Sequence, residues 1–81
     1  MAEYLAEFFI EPFTEGSPGP PVLAGIEAVR SLGMDPDVGA FGTTIGGDAL
    51  AIARAVSALV TAALGAGATR VSFQVVERTD S

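Results

Sequence analysis

Cysteine, histidine and lysine are all missing from these 81 residues, and each absence removes a class of chemistry. Without cysteine there are no disulfides and no thiol nucleophile. Without histidine as well there is no His/Cys zinc site, and serine lacks its usual activating partner. Without lysine there is no Schiff-base amine and no phosphate loop of the Gly-Lys-Ser/Thr type. The only acid–base groups left are carboxylates. Glu7 and Glu11 sit four apart on an extended segment, about 13 Å at ~3.3 Å per residue, too far for a glycosidase pair. The composition therefore argues against an enzyme.

Positive charge is equally scarce. Ten Asp/Glu face Arg30, Arg54, Arg70 and Arg78, giving a net charge of −6. Nucleic-acid binding draws on clustered cations that displace counterions, and anionic membranes favour the same clusters. Four scattered arginines supply neither, so nucleic acid and membrane are excluded as expected partners. An acidic surface instead favours cationic or neutral ligands.

Long apolar runs are limited to Ala49–Ala68. Arg54 lies in it, with Ser57 and Thr61, and alanine dominates; a central arginine costs ~2.5 kcal/mol or more in a bilayer. The run reads as a helix of a water-soluble domain. Met1-Ala2-Glu3-Tyr4 is acidic where a secretory leader would be basic. The expected location is cytoplasmic.

What is present is apolar: 49% of the residues are hydrophobic, which excludes disorder. One domain over residues 1–81 is expected. A chain this short buries only about 60–65% of its unfolded surface, and with metal and disulfide unavailable, self-association is the remaining source of stability.

Tyr4–Phe13 alternates as a strand, with Ala6, Phe8 and Ile10 on one face and Leu5, Glu7, Phe9, Glu11 and Phe13 on the other. Residues 14–21 form a loop rich in proline and glycine, and its last prolines can open a helix. Val22, Ile26 and Val29 recur at helical spacing, flanked by Leu23 and Leu32, until Gly33 and Asp35-Pro36 stop the pattern. Val38–Ile45 fits two short strands reversing near Phe41-Gly42. Asp48 suits an N-cap for a second helix whose buried stripe is Ile52, Val56, Leu59 and Ala63, with Val60 and Leu64 beside it. Arg70–Arg78 is the last strand, with Val71, Phe73 and Val75 as its apolar face, so Phe8 and Phe73 are expected in the core.

The order strand–helix–strand–strand–helix–strand predicts an α+β, ferredoxin-like βαββαβ domain. Its four-stranded antiparallel sheet carries both helices on one face. The other face holds Leu5, Phe9, Phe13 and Val76 among Glu7, Glu11, Ser72 and Gln74. Apolar groups exposed there point to an interaction surface, and to a homodimer or homotetramer formed through the open sheet face.

The most distinctive stretch is Gly42-Thr43-Thr44-Ile45-Gly46-Gly47-Asp48. Glycines admit close backbone approach and threonine hydroxyls both donate and accept, so the stretch could hold a polar ligand. A hairpin leading into a capped helix would use the same residues.

Three groups of residues, in the same order along nearly the whole chain, resemble the thiamine-binding protein (YkoF-like) family. They are Glu11-Pro12-Phe13, then Phe41-Gly42-Thr43-Thr44 with Gly46-Gly47-Asp48, and finally Gly65 to Val71. The resemblance implies a ferredoxin-like domain that assembles through its sheets and binds thiamine or its hydroxymethylpyrimidine moiety for carriage, sequestration or sensing, with no cofactor required. For such a ligand, residue chemistry and expected position suggest a site in which Phe9 or Phe41 stacks on the pyrimidine, with Gly42 allowing close backbone approach. Thr43 and Thr44 would hydrogen-bond, and Glu11 or Asp48 would balance the thiazolium charge. Gly46 stands where the family often has glutamate. Two other readings share the fold: a ligand-free oligomerisation module, and an amino-acid-sensing domain of the ACT kind.

Overall fold

The computed structural model describes residues 2–12, 19–39 and 42–78. Its elements run β1 (Tyr4–Glu11), α1 (Pro20–Ser31), β2 (Asp37–Val38), β3 (Thr43–Gly47), α2 (Ala49–Gly65) and β4 (Arg70–Glu77). One antiparallel sheet has the order β2-β3-β1-β4, and the fold is ferredoxin-like. Phe13, Phe41 and most of the loop after β1 lie outside the described residues.

Local chemistry sets the element ends. β1 stops at Glu11 rather than reaching Phe13, because Pro12 has no N–H to give to a ladder. Pro20 and Pro21 occupy the first turn of α1, where their missing N–H groups would be unpaired anyway. Gly33 follows α1 at φ +82°, the left-handed conformation that favours glycine. Asp48 caps α2, its Oδ1 accepting the Ala51 N–H at 2.8 Å.

The core forms where β1 and β3 meet the helices. Ala6, Phe8 and Ile10 of β1 and Ile45 of β3 are buried against Val22, Ile26 and Val29 of α1 and Ile52, Ala55, Leu59 and Ala63 of α2. Gly25 is where α1 comes closest to its neighbours. A Cβ built there would lie 2.9 Å from Ile10 Cδ1 and 3.3 Å from Leu59 Cγ.

One core expectation fails. Phe8 is 1% exposed but Phe73 is 50% exposed and Val75 41%, although all three share the helix side of the sheet. β4 is the outermost strand beyond β1, and the helix layer leaves it largely uncovered. Val71 alone of its apolar face packs against the core. Phe73 keeps one aromatic contact, its ring centroid 5.9 Å from that of Phe8. Leu23 of α1, Leu32 just past its end and Leu64 of α2 are exposed.

The close approach at Gly25 gives a direct test. Gly25→Val should lower the free energy of unfolding by about 2–3 kcal/mol, the cost of overpacking a dense site. Urea denaturation with an unchanged m-value would show it.

Candidate functional site

The pairing registers fix what the open face presents, row by row. Asp37, Thr44, Glu7 and Gln74 form one continuous row from β2 to β4. Gly46, Leu5 and Val76 form the next row on one side, and Phe9 with Ser72 the row on the other. Beyond these, Glu11 is opposite Arg70. A half-exposed aromatic ring, Phe9, therefore stands one row, two strand positions, from a row carrying two carboxylates, a hydroxyl and an amide.

Each sequence-derived candidate has a distinct position. Phe9 and Thr44 are on the open face and are brought together by the β1–β3 pairing. Gly42 lies against Phe9: a Cβ there would fall 2.7 Å from the Phe8 carbonyl oxygen and 3.1 Å from Phe9 Cε1. Only a residue without a side chain lets this backbone pass so close to the Phe9 ring.

Glu11 is at the end of β1, its carboxylate 3.8 Å from Arg70 Nε. Both groups are exposed, so the pair contributes little to stability, but it engages the Arg70 guanidinium at this end of the face. The Glu11 carbonyl also accepts from the Thr69 N–H at 2.8 Å and from its hydroxyl at 3.3 Å, fixing the start of β4.

The remaining candidates do not join this group. Thr43 is 4% exposed and shares the helix side with Phe8, because adjacent strand residues point to opposite faces. Asp48 is past the end of β3, with its carboxylate engaged in the α2 cap. Phe41 lies outside the described residues.

Asp37 was not among the candidates, yet the β2–β3 register sets it beside Thr44. β2 is only two residues long and offers no alternation from which its facing could be read. Parity alone puts Glu7 on this face, and the register adds its place between Thr44 and Gln74.

A second concavity lies on the helix side. A groove of about 380 Å³ runs between α2 and β4, lined by Tyr4, Ala49, Ile52, Ala53, Val56 and Val75. Its walls are almost wholly apolar. Among the described residues no acidic cluster is arranged to hold a metal ion, and no helix is long and apolar enough to cross a membrane.

Removing the Asp48 cap should cost about 1 kcal/mol of stability, as loss of an N-cap does. For Asp48→Ala, a thermal unfolding midpoint lowered by several degrees is expected, with Asp48→Asn restoring most of it.

The sheet, helices and crossovers are similar to those of several solved structures. A protein assigned provisionally to thiamine biosynthesis or salvage, from Thermotoga maritima, is 24% identical, with a TM-score of 0.68 over 96% of this chain and 84% of its own. A domain of unknown function from Bacillus cereus is 24% identical, with a TM-score of 0.69 over 96% of this chain and 76% of its own. A hypothetical protein from Methanocaldococcus jannascii is 23% identical, with a TM-score of 0.70 over 100% of this chain and 84% of its own. At these identities the likeness establishes the fold. No curated protein matches in sequence. The model of the thiamine-binding protein family, in contrast, matches residues 6–80, nearly the whole sequence, and the chain belongs to that family.

Proposed function

We propose that this protein binds thiamine or its hydroxymethylpyrimidine portion reversibly, without turnover, and carries, sequesters or senses it in the cytoplasm. The observation that carries this reading is the family match over residues 6–80. The open face supports it by its chemistry. Thiamine combines an aminopyrimidine with a cationic thiazolium. Phe9 offers a ring face for stacking, and Thr44 a hydroxyl that both donates and accepts. Glu7, Glu11 and Asp37 set a negative potential that favours the cation. Such a ligand needs most of its surface covered, and the open face of one chain covers one side only. Packing of a second copy against this face supplies the other side, which makes a homodimer or homotetramer the binding-competent form. The pyrophosphate ester should bind less well, since Arg70 is already paired with Glu11 and three carboxylates share the surface.

Isothermal titration with thiamine, hydroxymethylpyrimidine and thiamine pyrophosphate tests the reading. Saturable heat with the first two, at a fixed ratio per chain, is expected. Phe9→Ala should weaken both about three- to tenfold, the worth of one aromatic stacking contact. Undiminished affinity would remove Phe9 from the site, and no heat with any of the three would leave the oligomerisation-module reading in its place.

Gly46 gives an independent test. A Cβ at this exposed position would meet Leu5 Cδ2 at 3.4 Å, an ordinary contact, and the backbone there is open to any residue. Gly46→Glu adds the carboxylate the family often carries. It should raise affinity for cationic thiamine about two- to fivefold at low salt, leave neutral hydroxymethylpyrimidine unchanged, and lose the gain at high salt.

A further inference from the structure

The groove between α2 and β4 follows from where small side chains fall. α2 presents Ala49, Ile52, Ala53 and Val56 to it, a helical spacing that puts all four on one face, and two of them end at Cβ. Opposite them β4 is the outermost strand, so Val75 is left 41% exposed. Tyr4, the first residue of β1, is the remaining wall. Ala49 and Ala53 are exposed as well, so the groove of about 380 Å³ is open to solvent.

Its charge is one-sided. Among the lining side chains the Tyr4 hydroxyl is the single polar group, and it makes no hydrogen bond to a described residue. The β1–β4 register sets Glu77 directly opposite Tyr4, and residues paired across two strands share a side of the sheet. An exposed carboxylate, in no ion pair with a described residue, therefore stands at the Tyr4 end of the groove. None of the four arginines lines it, and the chain as a whole carries a net charge of −6.

We propose that this groove is a second ligand site, which takes a small organic cation with an apolar body, such as an amine carried on a single ring. The body covers Val56, Val75 and the edge of Ile52, removing their apolar surface from water. The cationic head lies at the Tyr4 end, where an aromatic ring, a hydroxyl and the Glu77 carboxylate all favour positive charge. The volume is near the lower bound of ligand pockets, roughly 300–1,000 Å³, which suits one ring and a short chain. A carboxylate or phosphate of the same shape would meet Glu77 and find no cation in the groove, so anions are disfavoured.

The site is separate from the open face assigned to thiamine. Strand alternation puts Tyr4, Val75 and Glu77 on the helix side of the sheet and Leu5, Gln74 and Val76 on the other. It is formed within one chain and stands whether or not thiamine binds.

The chain carries its own reporter, because Tyr4 is its one tyrosine and there is no tryptophan. Tyrosine emission therefore reads this groove alone. Titration with 2-cyclohexylethylamine, which has no near-ultraviolet absorption of its own, should give a saturable change with a dissociation constant of about 1 mM. The matched anion 3-cyclohexylpropionate should bind at least about fivefold more weakly, and Glu77→Gln should weaken the amine about two- to fivefold at low salt while improving the anion. Ala53→Leu, at an exposed helix position, fills the groove and should weaken the amine at least about tenfold, with circular dichroism showing the fold retained. The heat of thiamine binding should be the same in Ala53→Leu as in the unmodified protein. No saturable change with the amine, equal binding of amine and anion, or amine binding indifferent to Ala53→Leu would overturn the proposal. Loss of thiamine binding in Ala53→Leu would put both ligands in one site and overturn it as a second one.

Discussion

Everything in this molecule hangs on the alternation of β1, the eight-residue strand held between β3 and β4. Its even-numbered residues Ala6, Phe8 and Ile10 supply the sheet's share of the core, and its odd-numbered residues Leu5, Glu7, Phe9 and Glu11 supply the open face. A side-chain period of two allows no compromise: a slip of one residue would put Glu7 and Glu11 among the helices and Phe8 in water. The core and the candidate ligand surface are thus one decision, taken eight residues at a time.

The helix layer is the second constraint. α1 and α2 bury their stripes over β1 and β3 and against each other, and Gly25 lets α1 settle close to Ile10 and Leu59. A layer drawn together in this way has little width left for the outermost strand. The exposure of Phe73 and Val75 follows from that geometry, as does the apolar groove beside α2. For a small chain without cysteine, apolar surface left at an edge and on a face is also the material from which assembly can draw stability.

The open face combines an aromatic ring, a hydroxyl and an excess of carboxylates in adjacent rows. That mixture suits a heteroaromatic cation better than a phosphate, which agrees with membership of the thiamine-binding protein family. Gly42 and Gly46 shape this surface in different ways. The first is required by the approach of its backbone to Phe9 and to the Phe8 carbonyl, while the second leaves an opening beside Leu5 that a side chain could fill.

The sequence alone determined the element order, the facing of β1, the first turn of α1 at Pro20-Pro21 and the Asp48 cap, because each is set by periodicity or by one residue's backbone chemistry. It also showed the absence of lysine amine, thiol and imidazole chemistry, since composition is independent of folding. Only the tertiary structure decided that Thr43 turns into the core while Thr44 joins Glu7 and Asp37, and that Asp48 is spent on its helix. Pairing register and layer coverage are relations between distant segments. Phe8 and Phe73 read alike as apolar residues of alternating strands, and they differ because one strand is central and the other is at the edge.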